Sequence, residues 1–181
     1  MSYLTTAASL VKVGGYLNEV IENKCSEMTY NEFIGKGKAM VVDIHGNMLF
    51  MMNTKEDFIT DASHLLPELL LSEWLLNCYE DMNKRKIVTI NTDSLLSVEV
   101  FKGKIEPSKP TKYAEVLTIN KKKFYLLNEN GKLVDNERDY LKTINDFRSR
   151  NFLCCKSSLK LNSVGYVPKD KVVSIEFLKE N

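Results

Sequence analysis

Two short stretches of this 181-residue chain each occur a second time, and this repetition constrains the fold more than any other feature of the sequence. Residues 41–53 align without a gap on residues 116–128, 75 positions later, and seven apolar positions coincide. Residues 90–102 align on residues 167–179, 77 positions later. In the second pair four polar residues also coincide, namely Asp93 with Asp170, Ser97 with Ser174, Glu99 with Glu176 and Lys102 with Lys179. A loop can absorb the two-residue difference, so the chain is expected to contain one small unit twice.

Apolar periodicity and turn residues predict the same order of elements in both units. The order is a hairpin, a helix and then a strand–turn–strand. In the first unit the predicted segments are strands 39–44 and 48–52, helix 67–82 and strands 87–90 and 95–101. In the second unit they are strands 113–120 and 124–127, helix 136–153 and strands 159–167 and 171–178. The hairpin strands of the first unit are almost continuously apolar, which predicts that both of their faces are covered.

These elements predict an α+β fold with pseudo-twofold symmetry, in which two related β-rich units bury their apolar faces against each other. The expected organisation is an N-terminal helical segment (1–34), a first unit (35–106), a linker (107–112) and a second unit (113–181). Pro107 and Pro110 mark the linker, and helical spacing of apolar residues over 7–27 predicts the N-terminal helix.

Composition excludes several classes of function. The net charge is +1, so the chain has no general field that would attract nucleic acid. The chain has 21 Lys and 16 Asn but only 4 Arg, which is typical of AT-rich genomes and argues against phosphate recognition by arginine. The spacing of Cys25, Cys78, Cys154 and Cys155 fits no zinc site, and we expect reduced thiols in the cytoplasm. The most apolar segment, 65–76, is too short and polar to span a bilayer.

Few residues are candidates for catalysis. His45 and His64 are far apart in sequence, and a turn residue and a residue before a helix need no chemical role. Arg148 and Arg150 could lower the pKa of the Cys154 and Cys155 thiols, but no histidine lies nearby in sequence. The repeated carboxylates Glu99 and Glu176 could form an acid–base pair, yet surface pairing with Lys102 and Lys179 is the simpler interpretation. We therefore expect no enzyme activity, no cofactor and no metal site.

Two basic clusters support an alternative function. The candidate nucleic-acid contacts are Lys121, Lys122 and Lys123 at a hairpin tip and Lys84, Arg85 and Lys86 after the first helix. Aromatic residues Phe124 and Tyr125 follow the first cluster, as in small domains that bind single strands. Solubilising the turns is the simpler role, because the overall charge is near neutral.

The preferred hypothesis is a non-enzymatic structural or adaptor subunit of a multi-copy assembly. Its expected partners are further copies of the chain or other protein subunits, with no membrane. AT-rich residue usage in a small chain without catalytic motifs suits a tailed-phage virion protein, such as a head-to-tail connector or tail component, first located in the host cytoplasm. The alternatives are a small nucleic-acid-binding protein that uses the basic hairpin tips, and an enzyme with an unrecognised site.

Overall fold

The fold is a single antiparallel sheet of ten strands with two α-helices, as given by a computed structural model that describes residues 37–104 and 110–179. The strand order across the sheet is β10-β6-β7-β8-β9-β5-β1-β2-β3-β4. We refer to strands β1–β5 with helix α1 as the first copy, and to strands β6–β10 with helix α2 as the second copy. The first copy consists of β1 (Ala39–Asp43), β2 (Met48–Met51), α1 (Ala62–Leu71), β3 (Leu75–Tyr79), β4 (Ile87–Asn91) and β5 (Leu95–Lys104). The second copy consists of β6 (Lys112–Thr118), β7 (Lys123–Leu126), α2 (Glu137–Phe147), β8 (Phe152–Lys156), β9 (Leu161–Pro168) and β10 (Val172–Lys179).

The predicted α+β class is wrong, because one continuous sheet dominates the structure and the two helices pack on it. The predicted N-terminal helix (7–27) and Cys25 lie outside the described residues, as do residues 105–109 of the linker region. Both predicted helices were too long, since each contained a strand. Helix 67–82 is really the end of α1 followed by β3, and helix 136–153 is α2 followed by the start of β8.

The ends of the helices have local causes. The Asp61 carboxylate accepts a hydrogen bond from the Ser63 backbone N–H and begins α1, and the Asn136 side chain accepts from Asp139 N–H and begins α2. After α1 the chain turns at Glu73, whose φ of 48° is left-handed and incompatible with a continuing helix. Leu76 and Cys78 in β3 are buried while Asn77 between them is exposed, which is the alternation of a strand.

The strand registers reproduce the sequence repeat. Met40 pairs with Phe50 in the first hairpin, and Glu115 pairs with Tyr125, each 75 residues later, in the second. From β3 onward the offset is 77, so that Cys78 opposite Val88 corresponds to Cys155 opposite Gly165. The bulge in the β1–β5 pair recurs in the β6–β10 pair. The equivalence also includes the helices, whose capping residues Asp61 and Asn136 are 75 positions apart, although helix sequences alone did not reveal it.

The two copies join side by side, through antiparallel pairing of β5 with β9. We call this pairing the joint. The predicted arrangement, in which two units pack face to face with pseudo-twofold symmetry, is therefore wrong. Each copy has five strands, so antiparallel pairing at the joint turns the second copy over relative to the first. As a consequence, α1 and α2 pack on opposite faces of the sheet.

Three apolar clusters form the core. In the first, Leu65 and Leu69 of α1 pack on β-strand residues such as Val98, and in the second, Phe147 of α2 packs with residues such as Val116. The third cluster covers the other face of the first copy and includes Met40, Val42, Phe50, Tyr79 and Phe101. All five residues of β1 are buried, so its two faces are both covered, as its continuous apolar sequence predicted.

Candidate protein-interaction site

The joint depends on a very close approach between β5 and β9. Glu99 lies opposite Gly165 in the register of this pair. A Cβ atom added to Gly165 would lie 2.4 Å from the Val98 carbonyl oxygen and 2.9 Å from the Glu99 Cα atom. Because both are backbone atoms, only glycine fits at this position without moving a strand.

A buried carboxylate sits at the joint. The Glu99 side chain is only 5% exposed. Its Oε1 atom accepts hydrogen bonds from the Ser157 backbone N–H, at 3.0 Å, and from the Ser163 hydroxyl. Glu99 belongs to the first copy and both serines belong to the second, so the hydrogen bonds join the copies. A buried charge without such partners would cost several kcal/mol.

Two buried lysines lie in the electrostatic field of this carboxylate. Burial lowers the pKa of Lys122 to about 8, and attraction by Glu99 opposes that shift. Burial also lowers the pKa of Lys156, again against the attraction of Glu99. The Lys122 ammonium also lies 4.6 Å from the centre of the Phe124 ring, and the Lys156 ammonium donates to the Leu161 carbonyl oxygen at 3.4 Å. Both of these contacts lie within the second copy, so the attraction between Glu99 and the two lysines is the part of the cluster that crosses the joint.

The cysteine thiols near the joint are poor nucleophiles. Burial raises the pKa of Cys154 to about 12, and Arg150 reduces that shift only in part. The pKa of Cys155 is raised well above its usual value, chiefly by burial. A protonated thiol is neither a good nucleophile nor a metal ligand, so the idea that nearby arginines activate these cysteines finds no support.

An open groove of about 600 Å³ lies at one end of the joint, beside the end of α1. Leu69, Leu70 and Glu73 line it from the first copy, and Phe152 and Pro168 line it from the second. Asp93 and Asp170, two of the repeated polar residues, lie in the 3-10 turns that border it. The groove is therefore a place where equivalent parts of the two copies meet.

Next to this groove lies an exposed apolar patch, formed by Leu70, Leu71 and Trp74. Their exposed fractions are 57%, 68% and 63%, and Trp74 is the single tryptophan of the chain. The sequence placed Trp74 on one helical stripe with Cys78, but the helix ends at Leu71 and a turn exposes the indole. Large apolar side chains grouped at a surface are typical of protein–protein contact sites.

The structure separates the two predicted basic clusters and gives most of their members a local partner. Lys84 pairs with Asp57, Arg85 with Asp81, Lys86 with Glu80 and Lys123 with Glu115. The pKa values of Lys84 and Lys123 are raised by hydrogen bonds to these carboxylates. Lys122 is buried, whereas Lys121 is exposed in the left-handed region of the turn. Neutralised and buried cations are weak attractors of phosphate.

The remaining candidates stay apart from one another. His45 is exposed in the β1–β2 turn, and His64 is exposed in the first turn of α1. Glu99 is buried at the joint, whereas its repeat equivalent Glu176 is exposed on the end strand β10, so the two carboxylates have different environments. Within residues 37–104 and 110–179, no group of three or more His, Cys, Asp or Glu side chains could hold a metal ion. Nor does any helix in that part of the chain have the length and apolar character needed to cross a bilayer.

Sequence reasoning missed two residues that define this region. Gly165 lies inside a strand, and an isolated strand glycine is a known signal of close backbone approach. Trp74 was assigned to a helix because its spacing from Leu70 and Cys78 is helical, so no pattern predicted its exposure. Comparisons of the chain with protein-family models, curated proteins and solved structures give no match.

Proposed function

We propose that this chain is a non-enzymatic structural or adaptor subunit of a multi-copy protein assembly. The observation that supports the proposal is the apolar patch Leu70, Leu71 and Trp74 on the first copy. Burying these three side chains against a partner would remove a large apolar surface from water, and tryptophan is among the residues that most often dominate binding energy at interfaces.

The second copy supplies an internal comparison for this patch. At the equivalent positions it carries Asn145, Asp146 and Asn151 in place of Leu70, Leu71 and Trp74. The second copy forms the same helix end and the following strand with polar side chains at these positions. Leu71 and Trp74 are exposed and do not line the groove, so their apolar character favours a role in binding another protein.

The buried polar cluster supports the non-enzymatic part of the proposal. Glu99, Lys122 and Ser163 resemble catalytic residue types, but they are buried and their contacts join the two copies. The groove at the joint is lined by apolar residues, by carboxylates in separate turns, and by Thr92, Asn151 and Lys169. Burial keeps the Cys154 and Cys155 thiols protonated, so neither supplies the activated nucleophile that covalent catalysis requires.

The finer assignment to a tailed-phage head-to-tail connector or tail component is part of the proposal and rests on residue usage alone. Lysine and asparagine are abundant and arginine is scarce, which is typical of AT-rich genomes such as those of many phages. A subunit of this kind would be made in the host cytoplasm and then incorporated in the virion.

The direct test is the mass of the purified full-length chain in solution, measured by light scattering after size-exclusion chromatography between about 1 and 300 μM. The proposal predicts species larger than one chain that increase with concentration. A matched variant, Trp74→Asn, installs the residue of the second copy and should leave the fold unchanged while it weakens association. A wild-type chain that stays monomeric throughout this range and binds no other subunit would contradict the proposal.

A further inference from the structure

The two ends of the sheet carry the same two strand edges that pair at the joint. Strand β9, which pairs with β5 at the joint, is the repeat equivalent of β4, and β5 is the equivalent of β10. Among the strands of the described residues, β4 and β10 end the order and each has one neighbour. Each chain therefore presents, at opposite ends, the two halves of a joint that it already forms internally.

Apolar side chains at the β4 end support this equivalence. At the joint, Val164 and Phe152 of the second copy pack against the cluster that contains Leu65 and Leu69 of α1. Their repeat equivalents in the first copy are Ile87 and Leu75. Both equivalents are exposed, Ile87 by 54% and Leu75 by 39%. Ile87 and Leu75 are therefore apolar like the corresponding residues of the joint, but they are exposed, whereas Val164 and Phe152 pack against the cluster of α1.

A helix suited to cover them is present at the other end of the chain. Helix α2 packs beside β10 as α1 packs beside β5, with the Tyr140 hydroxyl donating to the Ile175 carbonyl oxygen. Tyr140 and Ile144 are the repeat equivalents of Leu65 and Leu69. In a second chain placed by the geometry of the joint, these two residues would lie over Ile87 and Leu75 of the first.

We propose that β10 of one chain pairs with β4 of a second copy of the same chain, in the antiparallel register of the joint, and extends the sheet from chain to chain. This inference rests on the proposed function, because the inference names the partner and the contact surface of the proposed assembly. The register places Glu176 opposite Val88, Ile175 opposite Thr89 and Phe177 opposite Ile87. It also brings Glu176 near Lys86, the equivalent of the Ser163 that donates to Glu99.

Because the two edges differ, the contact between chains is heterologous. Each chain uses β10 on one side and β4 on the other, so association continues until a ring closes or a filament forms. One chain contains two copies and each joint turns the next copy over, so successive chains have the same orientation relative to the sheet. This arrangement suits a multi-copy assembly and not an isolated symmetric dimer.

One position differs between the joint and the proposed contact. Gly165 at the joint corresponds to Val88 in β4, and even a Cβ at this position would lie 2.4 Å from a carbonyl oxygen in the joint geometry. Strands β10 and β4 must therefore lie further apart than β5 and β9. The contact between chains is weaker than the joint for this reason, and a Val88→Gly substitution should strengthen it.

The test is sedimentation velocity of full-length variants over a range of concentrations. Ile87→Lys places a charge on the β4 edge and is expected to weaken association at least tenfold. Ile119→Lys is the control, since Ile119 is equally exposed, at 52%, but lies in the β6–β7 turn. Val88→Gly is expected to strengthen association several-fold, whereas Thr89→Gly, the glycine control in the same strand, is not. Circular dichroism checks that each variant is folded.

The possible outcomes separate this inference from the proposed function. Association that weakens with Ile87→Lys but not with Ile119→Lys, and strengthens with Val88→Gly, supports both. A wild-type oligomer that responds equally to the two lysine variants overturns the contact through β4, although the chain remains an assembly subunit. If the wild-type chain is monomeric, the Val88→Gly variant tests the contact. Association of Val88→Gly but not of Thr89→Gly supports the contact through β4, and a monomeric Val88→Gly variant overturns it.

Discussion

Substitution of Gly165 by alanine tests the close approach of strands at the joint. The added Cβ would lie 2.4 Å from the Val98 carbonyl oxygen. The two atoms must separate to at least 3.0 Å, because Cβ atoms in proteins do not make closer contacts with non-bonded atoms. The Glu99 Cα and Cβ atoms, at 2.9 and 2.8 Å, block movement in other directions. Because these neighbours are mostly backbone atoms, β5 and β9 must separate, which should lower the free energy of unfolding by about 3 kcal/mol.

Urea unfolding followed by circular dichroism measures this change, with the denaturant slope checked to be unaltered. Val88→Ala is the matched control, because it places alanine at the equivalent position of the first copy, where the described strands leave one side of β4 open. Loss of the two Val88 methyl groups at a half-buried edge should cost only about 1 kcal/mol. A Gly165→Ala variant that loses less than about 0.5 kcal/mol, or no more than Val88→Ala, would refute the geometry of the joint.

Three further predictions concern the buried polar groups. Glu99→Gln should lower the free energy of unfolding by about 3 kcal/mol, because it leaves buried lysine charges unpaired. Adding Lys122→Met to this variant should restore part of that loss. If the effects of the two substitutions on the unfolding free energy in urea simply add, the two side chains do not interact. The pKa of Lys122 is about 8 in the folded chain against 10.5 when unfolded, so the unfolded chain binds more protons between these values. From pH 7 to pH 10 the unfolding free energy of the wild type should therefore rise by about 2 kcal/mol relative to that of Lys122→Met. A difference between the two proteins that does not change with pH would contradict the pKa shift. Cys154 should react with an aromatic disulfide reagent at least a hundred-fold more slowly in the native chain than in urea, while equal rates would show that it is accessible.

The repeated windows allowed the sequence to predict the hairpins and the strand–turn–strand segments of both copies. Strand β3 was missed because Leu70, Trp74, Cys78 and Met82 are spaced as on one face of a helix. The turn that ends the helix depends on Glu73 in the left-handed region, a conformation that glutamate does not signal. Spacing alone cannot show whether a short apolar segment is a helix or a strand when tertiary packing decides where the preceding helix ends.

Glu99 and Glu176 show why the site was harder to predict than the fold. They occupy the same position of the repeated motif, and the sequence predicts the same exposed role for both. Glu99 is buried because β5 has neighbours on both sides, whereas Glu176 is exposed because it lies on an end strand. The position of a strand within the sheet, and not its own residues, decides the environment of the carboxylate. That position follows from how the copies join, for which Gly165 was the only local signal.

Disulfide trapping between two variants tests most directly whether chains join as the two copies do. In the inferred register Ile175 of one chain lies opposite Thr89 of the next. The Cα atoms of directly paired residues are about 5 Å apart, a separation that a disulfide can bridge. Ile175→Cys and Thr89→Cys chains are oxidised separately and as a mixture, with wild type as the background. The structure predicts a disulfide-linked dimer that contains one chain of each variant and forms only in the mixture. Cross-linking that is no greater in the mixture than in the separate samples would contradict the contact between chains.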